Sequence, residues 1–303
     1  MSISSVEHLP GSDSGRSPPS GVSSRSIFSA LWKTGKGRFG ILVLSFFILY
    51  AIWGYFAYKN PPLAGHTVED RFVRPGADHL LGTDNLGRSI WEELAVGAGI
   101  SLVIGVAATA IAIGLGSVIG ITSGYLGGKF DQLSMGLTDM FITIPALPLI
   151  IVLAAVLSRG LVTITVVIGL TSWAVPARLI RAEVMTQSQR SFILRAQAMG
   201  MTPVRIMRVH VLPTVAPIVL ANAILLTAVA VLTEAILAFL GLGDPSLVSW
   251  GKMLQTAFSS GATSRGFWWV VVPPGVLIAM LVLSFTLIGN ALTEVLDPRR
   301  GKR

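Results

Sequence analysis

The chain has 303 residues, 52% hydrophobic and 13% charged, with a formal net charge of +8 and no cysteine. A soluble domain carries about 25% charged residues, and one of this size has too little interior to hide so much apolar surface, so most of the chain takes lipid as its solvent. The absence of cysteine excludes disulfides, thiol nucleophiles and thiolate metal sites together.

Residues 1–39 are rich in Ser, Gly and Pro and read as a disordered tail. Six apolar stretches follow, each near the ~20 residues that a helix needs to cross a hydrocarbon core about 30 Å thick. They run over about 40–58, 98–121, 133–157, 161–175, 215–240 and 270–292. The first begins too late and is too long for a cleaved leader and reads as a signal anchor. The second is dense in small residues, including Gly105, Gly114, Gly116 and Gly120, which let helix backbones approach closely in lipid. The third is interrupted by Pro145 and Pro148, the fourth ends at Pro176, and the sixth has Pro273 and Pro274 near its start. The expected fold is therefore an all-α membrane protein of six transmembrane helices.

An even number of spans puts both termini on one side, and the cations say which. Sixteen of the 23 Lys and Arg fall in the tails, beside Lys129, or in the segment carrying Arg178, Arg181, Arg190, Arg195, Arg205 and Arg208. The outer loops hold the remainder, diluted by acids such as Glu69, Asp70, Asp78, Asp84, Glu92 and Glu93. The N and C termini are therefore expected in the cytoplasm. The positive charge marks the inner membrane face and not a nucleic-acid surface. The organisation that follows is a tail over 1–39, a first helix and long outer loop over 40–97, a core of five helices over 98–296, and a tail over 297–303.

The cytoplasmic segment over about 177–213 is too punctuated to be a plain linker. Ser191 is placed to cap a short helix over 192–199 that stops at Gly200. Thr202 then caps a second helix with Pro203 at its first position, where a missing N–H costs nothing. Leu212–Pro213 is expected to end that helix and lead into the fifth span. The apolar residues of the pair, Phe192, Ile193, Ala196, Met199 and Val204, exceed what two such short helices bury between themselves. They pack either on the chain's own bundle or on a partner.

The stretch Arg195-Ala-Gln-Ala-Met-Gly200, nine residues, then His210-Val-Leu-Pro213 resembles the EAA loop of ABC importer permeases. The spacing matches throughout, while Leu194 stands in place of the family's Glu, Arg195 in place of the first Ala, and His210 in place of the Ile. Ala196 keeps the second Ala. His79-Leu-Leu-Gly-Thr-Asp-Asn-Leu-Gly-Arg88, Glu234-Ala-Ile-Leu-Ala-Phe-Leu-Gly-Leu-Gly243, Ser249-Trp-Gly-Lys-Met-Leu254, Arg178, Arg181 and Glu183 ahead of the loop, and Asp297-Pro-Arg299 are similar to further segments of one subfamily. That subfamily is the C-type permease of the oligopeptide/dipeptide importers. The resemblance covers about residues 35–300.

It implies a prokaryotic inner-membrane subunit paired with a homologous second permease, two cytoplasmic ATPase subunits and an extracytoplasmic substrate-binding protein. It also implies that Phe192, Leu194, Arg195, Ala196, Gly200, Thr202, Pro203, Leu212 and Pro213 belong to the helix pair that couples ATP hydrolysis to transport. The chain itself would carry no cofactor and would not be an enzyme; ATP and Mg would be bound by the partner ATPases. The sequence agrees, since it holds no P-loop and no HExxH, and all four His lie outside the spans. An ion-coupled secondary transporter is the main rival, but that class tends to show internal repeats, and none is evident.

Three further features bear on the outer loops and the path. Ser89-Ile-Trp-Glu92 is a capping box opening a helix toward the second span. After Ser249, Trp250, Met253, Leu254, Ala257 and Phe258 form one apolar helical stripe, expected to lie on the membrane surface. Glu234 is the one acid deep within a span and should face the bundle interior, either lining the substrate path or serving helix packing. Peptide is the cargo that the resemblance implies, with nickel or another small solute as the alternative.

Overall fold

Hydrocarbon offers no water to a peptide group, so apolar segments must close their own backbone hydrogen bonds. The computed structural model, which describes residues 24–58 and 68–296, is accordingly helical outside its loops, with one isolated antiparallel bridge between Thr83 and Ser89. Four helices are long and apolar enough to cross a membrane: α2 (Gly35–Ala57), α3 (Ile90–Leu126), α10 (Leu212–Phe239, continuous with a helical segment beginning at Pro203) and α12 (Trp268–Leu296). Two bent pairs bring the number to six if each is one span. They are α4 (Gly128–Thr143) with α5 (Ala146–Val156), and α6 (Leu161–Thr171) with α7 (Ala174–Ser188).

Several boundaries differ from those expected. The stretch read as a structureless tail contains α1 (Ser24–Lys33), which Leu31 anchors among Ala221, Ala291 and Leu292. Thr34 then caps α2 by accepting from the Gly37 N–H at 3.1 Å. Residues 1–23 and 297–303, including Asp297 and Arg299, lie outside the described residues. The helix expected from Ser89 and the second span are one rod of 37 residues, about 55 Å long at 1.5 Å per residue. Ser89 occupies its N-cap, but the hydroxyl makes no capping bond.

The third stretch breaks by 85° between α4 and α5. Pro145 holds Ile144 in extended backbone, as a residue before proline prefers, and Pro148 falls in the first turn of α5, where its missing N–H leaves nothing unsatisfied. Pro176 opens a helix where it was expected to end one. The chain bends by 42° at Ser172–Trp173, and Pro176 sits in the first turn of α7. Much of the expected cytoplasmic loop is therefore α7.

Three of the four glycines singled out in α3 sit against neighbouring helices. A Cβ on Gly105 would lie 2.5 Å from the Val231 side chain, and one on Gly116 2.9 Å from Pro176. On Gly120 it would lie 2.6 Å from the Ala177 carbonyl, while Gly114 faces open space. Gly124 continues the same edge, 2.8 Å from the Arg181 carbonyl. Positions 116, 120 and 124 thus form a flat stripe on which α7 lies backbone to backbone.

The apolar stripe of α11 (Trp250–Ser259) is not laid on the membrane surface. Trp250, Met253 and Ala257 are buried with Phe47, Leu94, Val231 and Leu281, and the Trp250 Nε1–H donates to the Leu94 carbonyl at 2.9 Å. Gly97 and Gly251 leave the room: a Cβ on Gly97 would meet the Trp250 ring at 2.9 Å, and one on Gly251 the Ala235 carbonyl at 2.4 Å. Phe258 alone of the stripe stays largely exposed.

Gly120→Leu should destabilise the detergent-purified subunit by about 2–3 kcal/mol through overpacking, whereas Gly114→Leu should stay within about 0.5 kcal/mol of the native chain. Thermal unfolding of the two variants side by side measures the difference.

Candidate functional site

Two short helices, α8 (Ser191–Ala198) and α9 (Pro203–Ile206), occupy one end of the bundle. Ile193, Ala196 and Ile206 are buried in one cluster with Ile121 of α3, Ile180 and Val184 of α7, and Val211 and Val215. Gln197 Nε2 donates to the Tyr125 hydroxyl at 3.1 Å. The knob is thus fastened to α3, α7 and α10 together. The same end of the bundle carries α1 and the last turns of α12, since Leu31 packs against Ala221, Ala291 and Leu292.

The turn between the two helices is built as expected. Gly200 has φ +78, its N–H donates to the Gln197 carbonyl at 2.9 Å, and the Met201 N–H donates to the Ala196 carbonyl at 3.2 Å. These two bonds make a Schellman cap. Thr202 is at the N-cap of α9 and Pro203 at its first position, although neither Thr202 nor Ser191 makes a side-chain cap; Ser191 is the first helical residue and not the cap.

Leu212–Pro213 does not end the second helix. A π-turn over Met207–Val211 carries α9 straight into α10, with the Leu212 N–H donating to the Met207 carbonyl. The looser turn accommodates Pro213, which has no N–H and would crowd the preceding turn. Thr214 Oγ1 satisfies the His210 carbonyl at 2.6 Å.

The opposite face of the knob is open. Phe192, Leu194, Met199 and Val204 are exposed, Met199 to 76%, and the Phe192 ring meets His210 edge-on with centroids 6.2 Å apart. Arg190, Arg195, Arg205 and Arg208 are exposed on the same segment, and residues 189–214 contain no acid. Arg195 Nε donates only to the Ser191 carbonyl, at 3.3 Å, so its charge is unpaired by any acid on this segment. Leu212 and Pro213 are also exposed. Of the nine candidate coupling residues, Ala196 alone is a buried anchor and the other eight present themselves to solvent or a partner.

At the other end of the bundle the loops ahead of α3 and α11 meet. Asp84 Oδ1 accepts from the Leu86 and Arg88 N–H groups at 2.7 and 2.8 Å, and Thr83 Oγ1 bonds Val73 N–H and the Asp70 carbonyl at 2.8 and 2.6 Å. The 79–88 motif is therefore a loop closed on itself by Asp84 and tied to residues 70–73 by Thr83. Between it and the loop before α11 lies an open cavity of about 320 Å³, with Asp84, Arg88, Glu93, Ser246 and Lys252 in its wall. Asp244 accepts from the Ser246 hydroxyl and N–H and from the Leu161 N–H; the Ser246 bonds hold its carboxyl below the ordinary range, and the Leu161 bond ties it to the start of α6.

Glu234 is 2% exposed in the bundle interior. Its Oε2 accepts from the Ser101 hydroxyl of α3 at 3.2 Å, and Ser249, the N-cap of α11, is a second hydrogen-bond partner. The carboxyl thus joins α3, α10 and α11, and it borders a narrow crevice with Ile104, Leu161 and Lys252.

Residues 116–302 match the family model described as binding-protein-dependent transport system inner membrane component. The chain belongs to this family. It is an ABC importer permease component and a multi-pass inner-membrane protein. The oligopeptide transport system permease protein OppC of Bacillus subtilis is 32% identical to this permease over 291 residues, 93% of each chain. A putative peptide transport system permease protein of Brucella suis is 34% identical over 265 residues, 86% of this chain and 87% of its own. The nickel transport system permease protein NikC of Escherichia coli K12 is 33% identical over 275 residues, 90% of this chain and 96% of its own.

Sequence reasoning about this permease missed how α4 is tied to α7. Asp131 receives the Arg181 guanidinium in two bonds of 2.5 and 2.6 Å and also accepts from Ser123. The available signal was an acid one turn beyond a Gly-Gly pair in a segment with few other charges.

Glu234→Gln keeps an acceptor for both serines and should leave thermal stability nearly unchanged. Glu234→Val strands both hydroxyls and should cost about 1–3 kcal/mol. Equal losses in the two variants, measured by thermal unfolding in detergent, would contradict the hydrogen-bonding role.

Proposed function

We propose that this permease subunit imports small peptides by ATP-driven alternating access, with six spans, cytoplasmic termini, and α8–α9 as the element that an ATPase subunit grips. The observation that carries the proposal is the two-sided knob. Ile193, Ala196 and Ile206 anchor it into three helices, while Phe192, Leu194, Met199 and Val204 are left for a partner. A force-receiving element needs both properties: a grip outside and a rigid root inside. The grouping of α1, the end of α12 and the knob at one end supports a single cytoplasmic face, where Lys33, Lys36, Arg38 and the knob arginines lie together.

In place of the family's Glu stands Leu194, 47% exposed. The expected ATPase cleft is therefore apolar at its centre with an acidic rim facing Arg195, Arg205 and Arg208. The subunit pairs with a second permease and two ATPases that bind ATP and Mg, and the cavity between the outer loops faces a substrate-binding protein. Peptide cargo follows from relatives named for oligopeptide and dipeptide transport. Nickel is the second reading, supported by the similar identity to NikC. The burial of Glu234 and its serine partners support reading it as a helix-packing residue for α11 ahead of a substrate ligand.

Gly200 provides the test. No atom lies within 4 Å of the Cβ it lacks, so a side chain has room in the isolated subunit. Gly200→Asp should lower ATP-driven peptide uptake about tenfold or more while the subunit still inserts. Gly200→Ala carries the left-handed backbone strain alone, about 1 kcal/mol, and should be much milder. Normal uptake by Gly200→Asp in proteoliposomes with the partner subunits would overturn the assignment.

A further inference from the structure

The knob is rooted in α7, but the helix beside α7 has a different construction. α4 begins after Gly127 and Gly128, whose φ values are +65 and +61 and whose missing Cβ atoms would meet nothing within 4 Å. It ends at the 85° break before α5. Of its sixteen residues only Thr138 is buried, and it packs on α3 and α7. α4 is thus a lever on a two-glycine pivot, without an apolar seam of its own along most of its length. Apolar contact comes at the far end, where Phe141 meets Trp173 with ring centroids 5.3 Å apart.

What fixes α4 along the rest of its length is charge. One turn beyond the pivot, Asp131 accepts from Arg181 Nε at 2.5 Å and Nη2 at 2.6 Å, a two-pronged pairing that sets angle as well as distance. Their side chains are 17% and 26% exposed, and the buried Ser123 of α3 donates to the same carboxylate. Two turns further along α4, Asp139 pairs with Arg178 on an exposed face. Both arginines belong to α7, one turn apart, and Ile180 between them is part of the cluster that seats Ile193 and Ile206 of the knob. A single line of contact therefore runs from α8–α9 through α7 to α4 and on to the break before α5.

We propose that Asp131–Arg181 and Asp139–Arg178 are positioning residues that clasp α4 to α7, so that a stroke received by α8–α9 carries α4 along with α7 and is not lost in rotation about Gly127–Gly128. The proposal rests on α8–α9 being the ATPase-gripping element. Without the clasp, α4 turns on its two glycines and no longer moves with α7; the ATPases still cycle, but the arm that ends at the break does not follow.

The test uses the complete transporter in proteoliposomes and reads solute imported per ATP hydrolysed. Asp131→Asn should lower that ratio about tenfold while hydrolysis by the assembled complex is largely retained. Asp139→Asn, on the exposed pair, should lower it less and serves if Asp131→Asn does not assemble. The chain has no native cysteine, so Asp139→Cys with Arg178→Cys can be joined by a short reducible bis-methanethiosulfonate linker. In the Asp131→Asn background the linker should restore the ratio, and reductant should abolish the gain. An unchanged ratio in both Asn variants overturns the clasp, as does a fall of import and hydrolysis in proportion to assembled complex. So does arrest of import when the linker joins an otherwise native chain, because α4 and α7 would then have to part during transport. Met199→Cys crosslinking to the ATPase separates the two ideas. Loss of capture with Asp131 intact strikes the docking reading, and loss confined to Asp131→Asn strikes the clasp.

Discussion

The close approach of α7 to the glycine edge of α3 is the contact on which the rest of the molecule depends. Lipid supplies no hydrophobic drive to bring two helices together, so the contact must come from shape. Gly116, Gly120 and Gly124 supply it by removing side chains along one line, and the Ala177 and Arg181 carbonyls then come within the space a Cβ would fill. With α7 fixed along this edge, its other faces carry the cluster that roots the knob and the two arginines that reach α4. A looser α3–α7 seam would leave each of these without a stable base.

The knob itself separates two tasks that short helices usually mix. Residues spaced to face inward, Ile193, Ala196 and Ile206, are fully withdrawn from solvent, whereas Leu194 and Met199 stand out from the same turns. Gly200 closes the corner with a left-handed residue and two backbone bonds, so the pair needs no bulky side chain at the bend. Exposed basic groups on the same segment give the knob a sign as well as a shape.

Much of this was legible in the sequence because hydrocarbon imposes a simple rule on length and polarity. The long apolar runs, the family resemblance and the Gly200 turn could all be read from residue type and spacing. Breaks and junctions were harder. Pro176 has the same local chemistry whether it stops one helix or starts the next, and only packing on Gly116 decides between them. The stripe from Trp250 to Phe258 has the periodicity of a surface helix, but the room left by Gly97 and Gly251 draws it inside. Glu234 could be read as a path residue or a packing residue, and its serine partners, Ser101 and Ser249, come from distant parts of the chain. Asp131 and Arg181 lie 50 positions apart, and no local pattern joins them.

The π-turn over Met207–Val211 has a geometric effect beyond accommodating a proline. It takes one more residue per closed ring than an α-turn does, and each α-helical residue advances the side-chain direction by about 100°. A single extra residue at this point therefore works like a spline between two shafts. Everything ahead of Met207 is re-indexed around the axis relative to everything after Val211, without a break in the helix. The orientation of the knob's exposed face and the orientation of the long apolar rod are for that reason independent settings of one continuous helix.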